Sequence, residues 1–139
     1  MKVENAVTPE REQVMEFIGG EGRIAMVNLL KFKEKAEYPD GRDADISGKE
    51  AYGRYAQEMN KLLEANGGGI TFMGRVENLL LGEVGELWDV VAIAEYPSPQ
   101  SLITIASSPE FQAIEVHRLA GLAGQLNITT TPGEEAEFG

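Results

Sequence analysis

The segment Ile24-Ala25-Met26-Val27-Asn28-Leu29-Leu30-Lys31-Phe32 is apolar at both odd and even positions. Successive side chains of a strand point to opposite faces, so a strand written this way has to lie in a sheet covered on both sides. The rest of the chain must supply two covers. Its 139 residues suffice for one domain with a sizeable core and leave no room for a second.

Upstream, Thr8 before Pro9-Glu10 predicts the start of a short helix, with Val14, Phe17 and Ile18 at helical spacing and Gly19-Gly20 as its stop. Residues 34–46, containing Tyr38-Pro39-Asp40-Gly41, are polar and turn-rich and read as an exposed rim or lid loop. Ser47-Gly48-Lys49-Glu50 has capping-box spacing. Tyr52, Tyr55, Ala56, Met59, Leu62 and Leu63 then recur at helical steps until Asn66-Gly67-Gly68. Two β-rich runs, 70–81 and 87–96, flank Gly82-Glu83-Val84-Gly85-Glu86, which predicts an antiparallel hairpin.

Ser98-Pro99 and Ser108-Pro109 each set a capping hydroxyl before a proline at the first helical position, so helices are expected near 99–106 and 109–123, the second ended by Gly124. A last strand is expected over 126–131. The order, a helix followed by βαββαβ, is that of an α+β ferredoxin-like fold with an extra N-terminal helix. Three parts result: an extension over 1–22, the domain over 23–131 and an acidic tail over 132–139. Helices cover one face of such a sheet, so the second apolar face of the first and third strands predicts a homodimer in which two sheets close into a dimeric α/β barrel.

Lys plus Arg number 12 against 23 Asp plus Glu, a net charge of -11, which argues against nucleic acid as a partner because such binding draws on neutralised phosphates. The absence of Cys removes disulfides, thiolate nucleophiles and iron–sulfur clusters. A single His excludes a multi-His metal site; a carboxylate-rich Mg or Ca site stays open although no EF-hand spacing appears, and no metal or cofactor is expected. There is no apolar leader and no run near the roughly 18 apolar residues of a membrane span, so no membrane association and a cytoplasmic location are expected.

Four blocks, at 26–32, 48–55, 88–98 and 107–114, resemble the DUF1330 family in the same order, over roughly residues 24 to 131. The resemblance implies the dimeric α/β-barrel fold. It implies no reaction, since the family's biochemical role is uncharacterised and fold does not fix function. Relatives in that superfamily include cofactor-independent monooxygenases, haem-degrading monooxygenases, lactone isomerases and dye-decolourising peroxidases, which hold their ligand between sheet and helices.

Asn28 is a lone amide on the face formed by Ile24, Met26, Leu30 and Phe32; it either bonds to the backbone or orients a ligand oxygen. Glu95 follows Val91 and Ile93 on its face, which fits either a desolvated general base or an ion pair with an arginine at the strand end. Arg118 falls on the apolar arc of Phe111, Ile114 and Leu122 and needs an anionic partner: Glu95, Asp89 or a substrate carboxylate. His117, at the edge of that arc, is the only side chain with an ordinary pKa near neutrality. Tyr52 and Tyr55 fill gaps or line a cavity, and Trp88 fills the dimer core or stacks on a flat ligand. Arg54 is expected in solvent.

These residues support a dimeric small-molecule-binding protein, with Glu95, His117 and Arg118 as catalytic candidates and Asn28, Tyr52, Tyr55 and Trp88 as ligand contacts. Its enzymatic form is a cofactor-independent monooxygenase or isomerase, in which Asn28 or Arg118 stabilises an enolate and Glu95 or His117 moves a proton. A haem-degrading form would draw on Asn28, Trp88 and His117, although His117 lies far from Trp88 in sequence. The other class is a non-enzymatic dimeric module with internally paired polar residues and a filled interior.

Overall fold

The computed structural model describes residues 2–133. Eight elements follow one another: α1 (Arg11–Ile18), β1 (Ile24–Phe32), α2 (Gly48–Ala65), β2 (Gly69–Arg75), β3 (Val90–Tyr96), α3 (Pro99–Ala106), α4 (Pro109–Gly121) and β4 (Leu122–Thr130). The strands form one antiparallel sheet in the order β2-β3-β1-β4, so the strand read as doubly covered is central. The chain thus has the expected α+β, ferredoxin-like order.

Caps fix most helix starts. The Ser47 hydroxyl accepts from the Glu50 N–H at 3.0 Å, and Ser98 and Ser108 accept from Ser101 and Phe111 at 3.3 and 3.2 Å. Thr8 does not cap α1. Glu10 does, its own N–H donating to the Gln13 side chain at 2.9 Å, so the helix starts later than the Thr-Pro pair predicts.

Three further expectations are corrected. The hairpin strands are shorter than their β-rich sequence: pairing ends at Arg75↔Val90 and a last bond from Val76 N–H to the Asp89 carbonyl at 2.9 Å. Beyond it Leu79, Leu80 and Leu81 are exposed, the last two by 96% and 89%, because no strand among the described residues pairs with that stretch. The last helix stops at Gly121, not Gly124, since Lys33 N–H takes the Gly121 carbonyl at 2.8 Å and the chain passes directly into β4, where Gly124 pairs with Lys31. Residues 34–46 are not a free rim: Ala36 and Tyr38 are buried against Ala51 and Ala120, and Glu37 N–H bonds the Ala120 carbonyl at 3.0 Å.

One sheet face packs on the helices through Ile24, Met26, Ala94 and Tyr96, against Tyr55, Met59 and Leu63 of α2, with Ile105 and Phe111. The opposite face carries Val27, Leu29, Val91 and Ile93, only part-buried, with Phe72 and Ile128 52% and 46% exposed. Ahead of α1, Ala6 forms an antiparallel bridge with Gln125 on the outer edge of β4. No helix among the described residues is long and apolar enough to cross a membrane. Of the predicted acidic tail, residues 134–139 lie outside the described residues.

Candidate functional site

The helical period of α2 sets Tyr52 and Tyr55 on its inner face, and they stand in an aromatic file with Phe32 and Phe111. Ring centroids are 5.3 Å apart for Phe32–Tyr52, 5.3 Å for Tyr52–Tyr55 and 6.1 Å for Tyr55–Phe111. Burial pushes the Tyr52 phenol up to about 12, against the pull of the Arg118 charge. It also raises Tyr55 and Tyr96. All three are protonated near neutral pH and carry a hydrogen that can be donated. No buried polar side-chain atom among the described residues lacks a partner.

Arg118, on α4, is half-buried beside this file. Its guanidinium donates to the Val7 carbonyl at 2.9 Å and to Gln125 Oε1 at 2.8 Å. Gln125 in turn donates to Asn28 Oδ1 at 2.9 Å, and Asn28 donates to the carbonyls of Ala92 and Met26 at 3.1 and 3.2 Å. The Asn28 amide is thus satisfied internally while belonging to the Arg118 network. Among the described residues neither Arg118 nor Lys49 has a carboxylate within ion-pair distance. The two internal partners that the sequence offered Arg118 are engaged elsewhere. Glu95 is paired with Arg23, and Asp89 accepts from the Phe32 N–H at 2.9 Å and lies 3.5 Å from Lys31.

Asn28, Tyr52, Tyr55 and Arg118 are accordingly brought to one region, whereas the three catalytic candidates are held by different partners. Glu95, opposite Ala25 and Gly69, points to the sheet face away from the helices. His117 turns toward the 34–46 segment: its Nδ1 lies 2.7 Å from the Tyr38 hydroxyl, which also accepts from Arg54 at 3.2 Å. The Arg54 side chain is exposed to solvent as expected, and it also donates to Asp43 at 2.9 Å. Burial and the nearby Arg42 and Arg54 charges hold the His117 imidazole below its ordinary pKa. Trp88 donates its indole N–H to Asn5 at 2.7 Å, which ties it to the N-terminal segment. Sequence reasoning missed Gln125, Tyr96 and Tyr38; a glutamine in an edge strand and a tyrosine in a polar loop carry no local signal of burial.

Among the described residues, open clefts lie at opposite ends of the sheet. One, of about 600 Å³, is lined by Lys31, Phe32, Lys33, Lys49 and Arg75 together with Glu34, Glu86 and Asp89. The other, of about 410 Å³, is lined by Arg23, Glu95, Tyr96 and the 67–69 glycines. In the first, burial works against the Lys31 charge, but Glu86 and Asp89 outweigh it and hold the ammonium above its ordinary pKa. No group of three or more metal-ligating side chains occurs among the described residues.

Residues 42–131 match the DUF1330 family, described as a domain of unknown function. The structure is similar to that of the RPA0582 protein of unknown function from Rhodopseudomonas palustris, with 30% identity, a TM-score of 0.84 and coverage of 94% of this chain and 99% of that one. The methylated RPA0582 protein gives 31% identity, a TM-score of 0.86 and coverage of 96% and 98%. A dimeric ferredoxin-like protein of unknown function from Jannaschia sp. CCS1 shares the fold at 12% identity, with a TM-score of 0.52 and coverage of 80% and 100%. No curated protein matches the chain. A family match over most of the domain, joined to a relative of the same fold aligned along nearly the whole chain, means that this chain belongs to the DUF1330 family.

Proposed function

We propose that the protein is a homodimer that binds a small molecule bearing an acidic oxygen, such as a carboxylate or an enolate, with Arg118 as its charge partner. The observation that carries this reading is a half-buried guanidinium held, among the described residues, only by neutral acceptors. A desolvated cation lacking a counter-charge is costly, and a ligand oxyanion would offset that cost. The ligand's acidic group takes the place of the Val7 carbonyl, and the protonated phenols of Tyr52 and Tyr55 offer further donors. Donors of this kind stabilise a negative charge without removing a proton. With Glu95 on the far sheet face, the arrangement supports binding, or rearrangement of an already acidic ligand, over general-base catalysis.

The dimer rests on the apolar face opposite the helices, where Val27, Leu29, Val91, Ile93 and Phe72 would meet their copies across a two-fold axis. A native mass spectrum of the freshly purified protein tests both parts. The expected species is a dimer, and an acid identified from added mass or by screening should bind Arg118→Gln at least about tenfold more weakly. A monomer overturns the assembly. Unchanged affinity in Arg118→Gln overturns the site.

A further inference from the structure

The geometry points to a second, separate anion site in the cleft at the C-terminal end of β1, lined by Lys31, Lys33, Lys49 and Arg75 around the ring of Phe32. It does not depend on the Arg118 reading. Four of the chain's 12 Lys and Arg residues converge here although the chain carries a net charge of -11. Glu34, Glu86 and Asp89 share the lining, yet they do not balance the lysines evenly. Asp89 is committed to the Phe32 backbone and to Lys31, and Glu86 also serves Lys31. Arg75 pairs with Glu77 at 2.9 Å outside the cleft.

That leaves Lys33 and Lys49, with Glu34, the third lining carboxylate, within ion-pair distance of neither among the described residues. Lys33 has only long contacts, 3.5 Å to Glu37 and 3.4 Å to the Leu119 carbonyl, and the Glu37 carboxylate is 71% exposed and readily displaced. Lys49 lies in the first turn of α2, where the positive end of the helix disfavours a cation, and it has no ion-pair partner among the described residues. The fold itself brings these two lysines together. Gly48 N–H bonds the Lys33 carbonyl at 3.1 Å, and Lys33 N–H bonds Gly121 at 2.8 Å, so the first turn of α2 is clamped onto the end of β1. A cation that breaks the local rule of its helix, its backbone clamped beside that of a second poorly paired cation, marks a binding position.

The ligand class is a small phosphate or carboxylate with an aromatic or otherwise apolar body. The anion sits between the Lys33 and Lys49 ammonium groups, and the body lies on Phe32, which is itself backed by Tyr52 at 5.3 Å.

The test is a titration of the full chain with phenyl phosphate, followed by backbone amide NMR, with benzyl alcohol as the uncharged counterpart. Saturable shifts are expected at 32–34 and 48–50 with phenyl phosphate and not with benzyl alcohol. Affinity should fall at least about tenfold in the Lys33→Gln/Lys49→Gln double variant, and should weaken in the unaltered protein between about 50 and about 300 mM salt. The residue-resolved shifts separate this cleft from Arg118 and Gln125, so the two readings stand or fall apart. Absence of shifts at 32–34 and 48–50, equal shifts with benzyl alcohol, or indifference to both the double variant and salt would overturn it.

Discussion

Tyr38 Oη and His117 Nδ1 lie 2.7 Å apart, and the same oxygen accepts from Arg54 at 3.2 Å. With Arg54 donating to its oxygen, the phenol has its own hydrogen free to give to the imidazole. A hydrogen given to Nδ1 goes with a neutral ring protonated on Nε2, and the lowered pKa favours the neutral ring. Protonating the ring would remove the acceptor and add a third cation beside Arg42 and Arg54.

Acid should therefore weaken the protein through this residue. The folded pKa of His117 is lowered, so as pH falls the unfolded chain takes up the proton first. The neutral ring's contribution is intact above the ordinary value near 6.5 and is lost as pH falls through the lowered folded value. Urea midpoints across this range should fall less steeply in His117→Gln than in the unaltered protein. Parallel pH profiles would contradict the assignment.

Gly48 and Gly121 should both resist enlargement. A Cβ at Gly48 would collide with the Lys33 carbonyl and lie 2.7 Å from the Gly121 oxygen, while one at Gly121 would lie 2.8 Å from Tyr52 N. Gly→Ala in a helix ordinarily gains up to about 1 kcal/mol. Here overpacking reverses the sign, and a loss of about 1–3 kcal/mol is expected for Gly48→Ala in chemical denaturation.

Gln125→Ala should cost roughly 1–3 kcal/mol, because it strips a partner from Arg118 and from Asn28 at once. The same variant should alter ligand affinity at Arg118 if the network orients the guanidinium. Denaturation midpoints and ligand titration report the two effects separately.

Paired charges on the apolar sheet face, Phe72→Lys with Ile93→Lys, should convert a dimer into a monomer by light scattering while leaving the far-ultraviolet circular dichroism in place. The two residues are register partners, so their charges would oppose one another as well as their copies. A dimer that survives the double variant assembles through another surface.

The fold was legible wherever a local chemical signal coincided with the tertiary requirement. β1, with apolar residues on both faces, is central, and the hydroxyls of Ser47, Ser98 and Ser108 cap as their spacing predicts. Errors arose where tertiary contacts overrode local pattern. Leu79 to Leu81 have the composition of a strand without a neighbour to bond, and Gly121 ends α4 because a backbone amide of β1's exit captures its carbonyl. The candidate site was half legible. Periodicity placed Arg118, Tyr52 and Tyr55 on inner faces, but the link between Arg118 and Asn28 runs through Gln125, whose importance depends on β4 lying beside β1. Face alternation likewise separates Glu95 from the helices, yet only the sheet order shows which face the helices cover.

The bridge at Ala6 bears on how the molecule avoids sticking to its neighbours. β4 is an outer strand, and an outer strand presents unpaired N–H and C=O groups that can recruit a foreign chain. Ala6 occupies those groups at Gln125, donating at 3.1 Å and accepting at 2.8 Å. The same short segment supplies the carbonyl on Arg118 and the amide on Trp88. A chain cleaved after Val7 would thus lose its guard against strand addition, and aggregation would join any change in ligand binding as a consequence of that single cut.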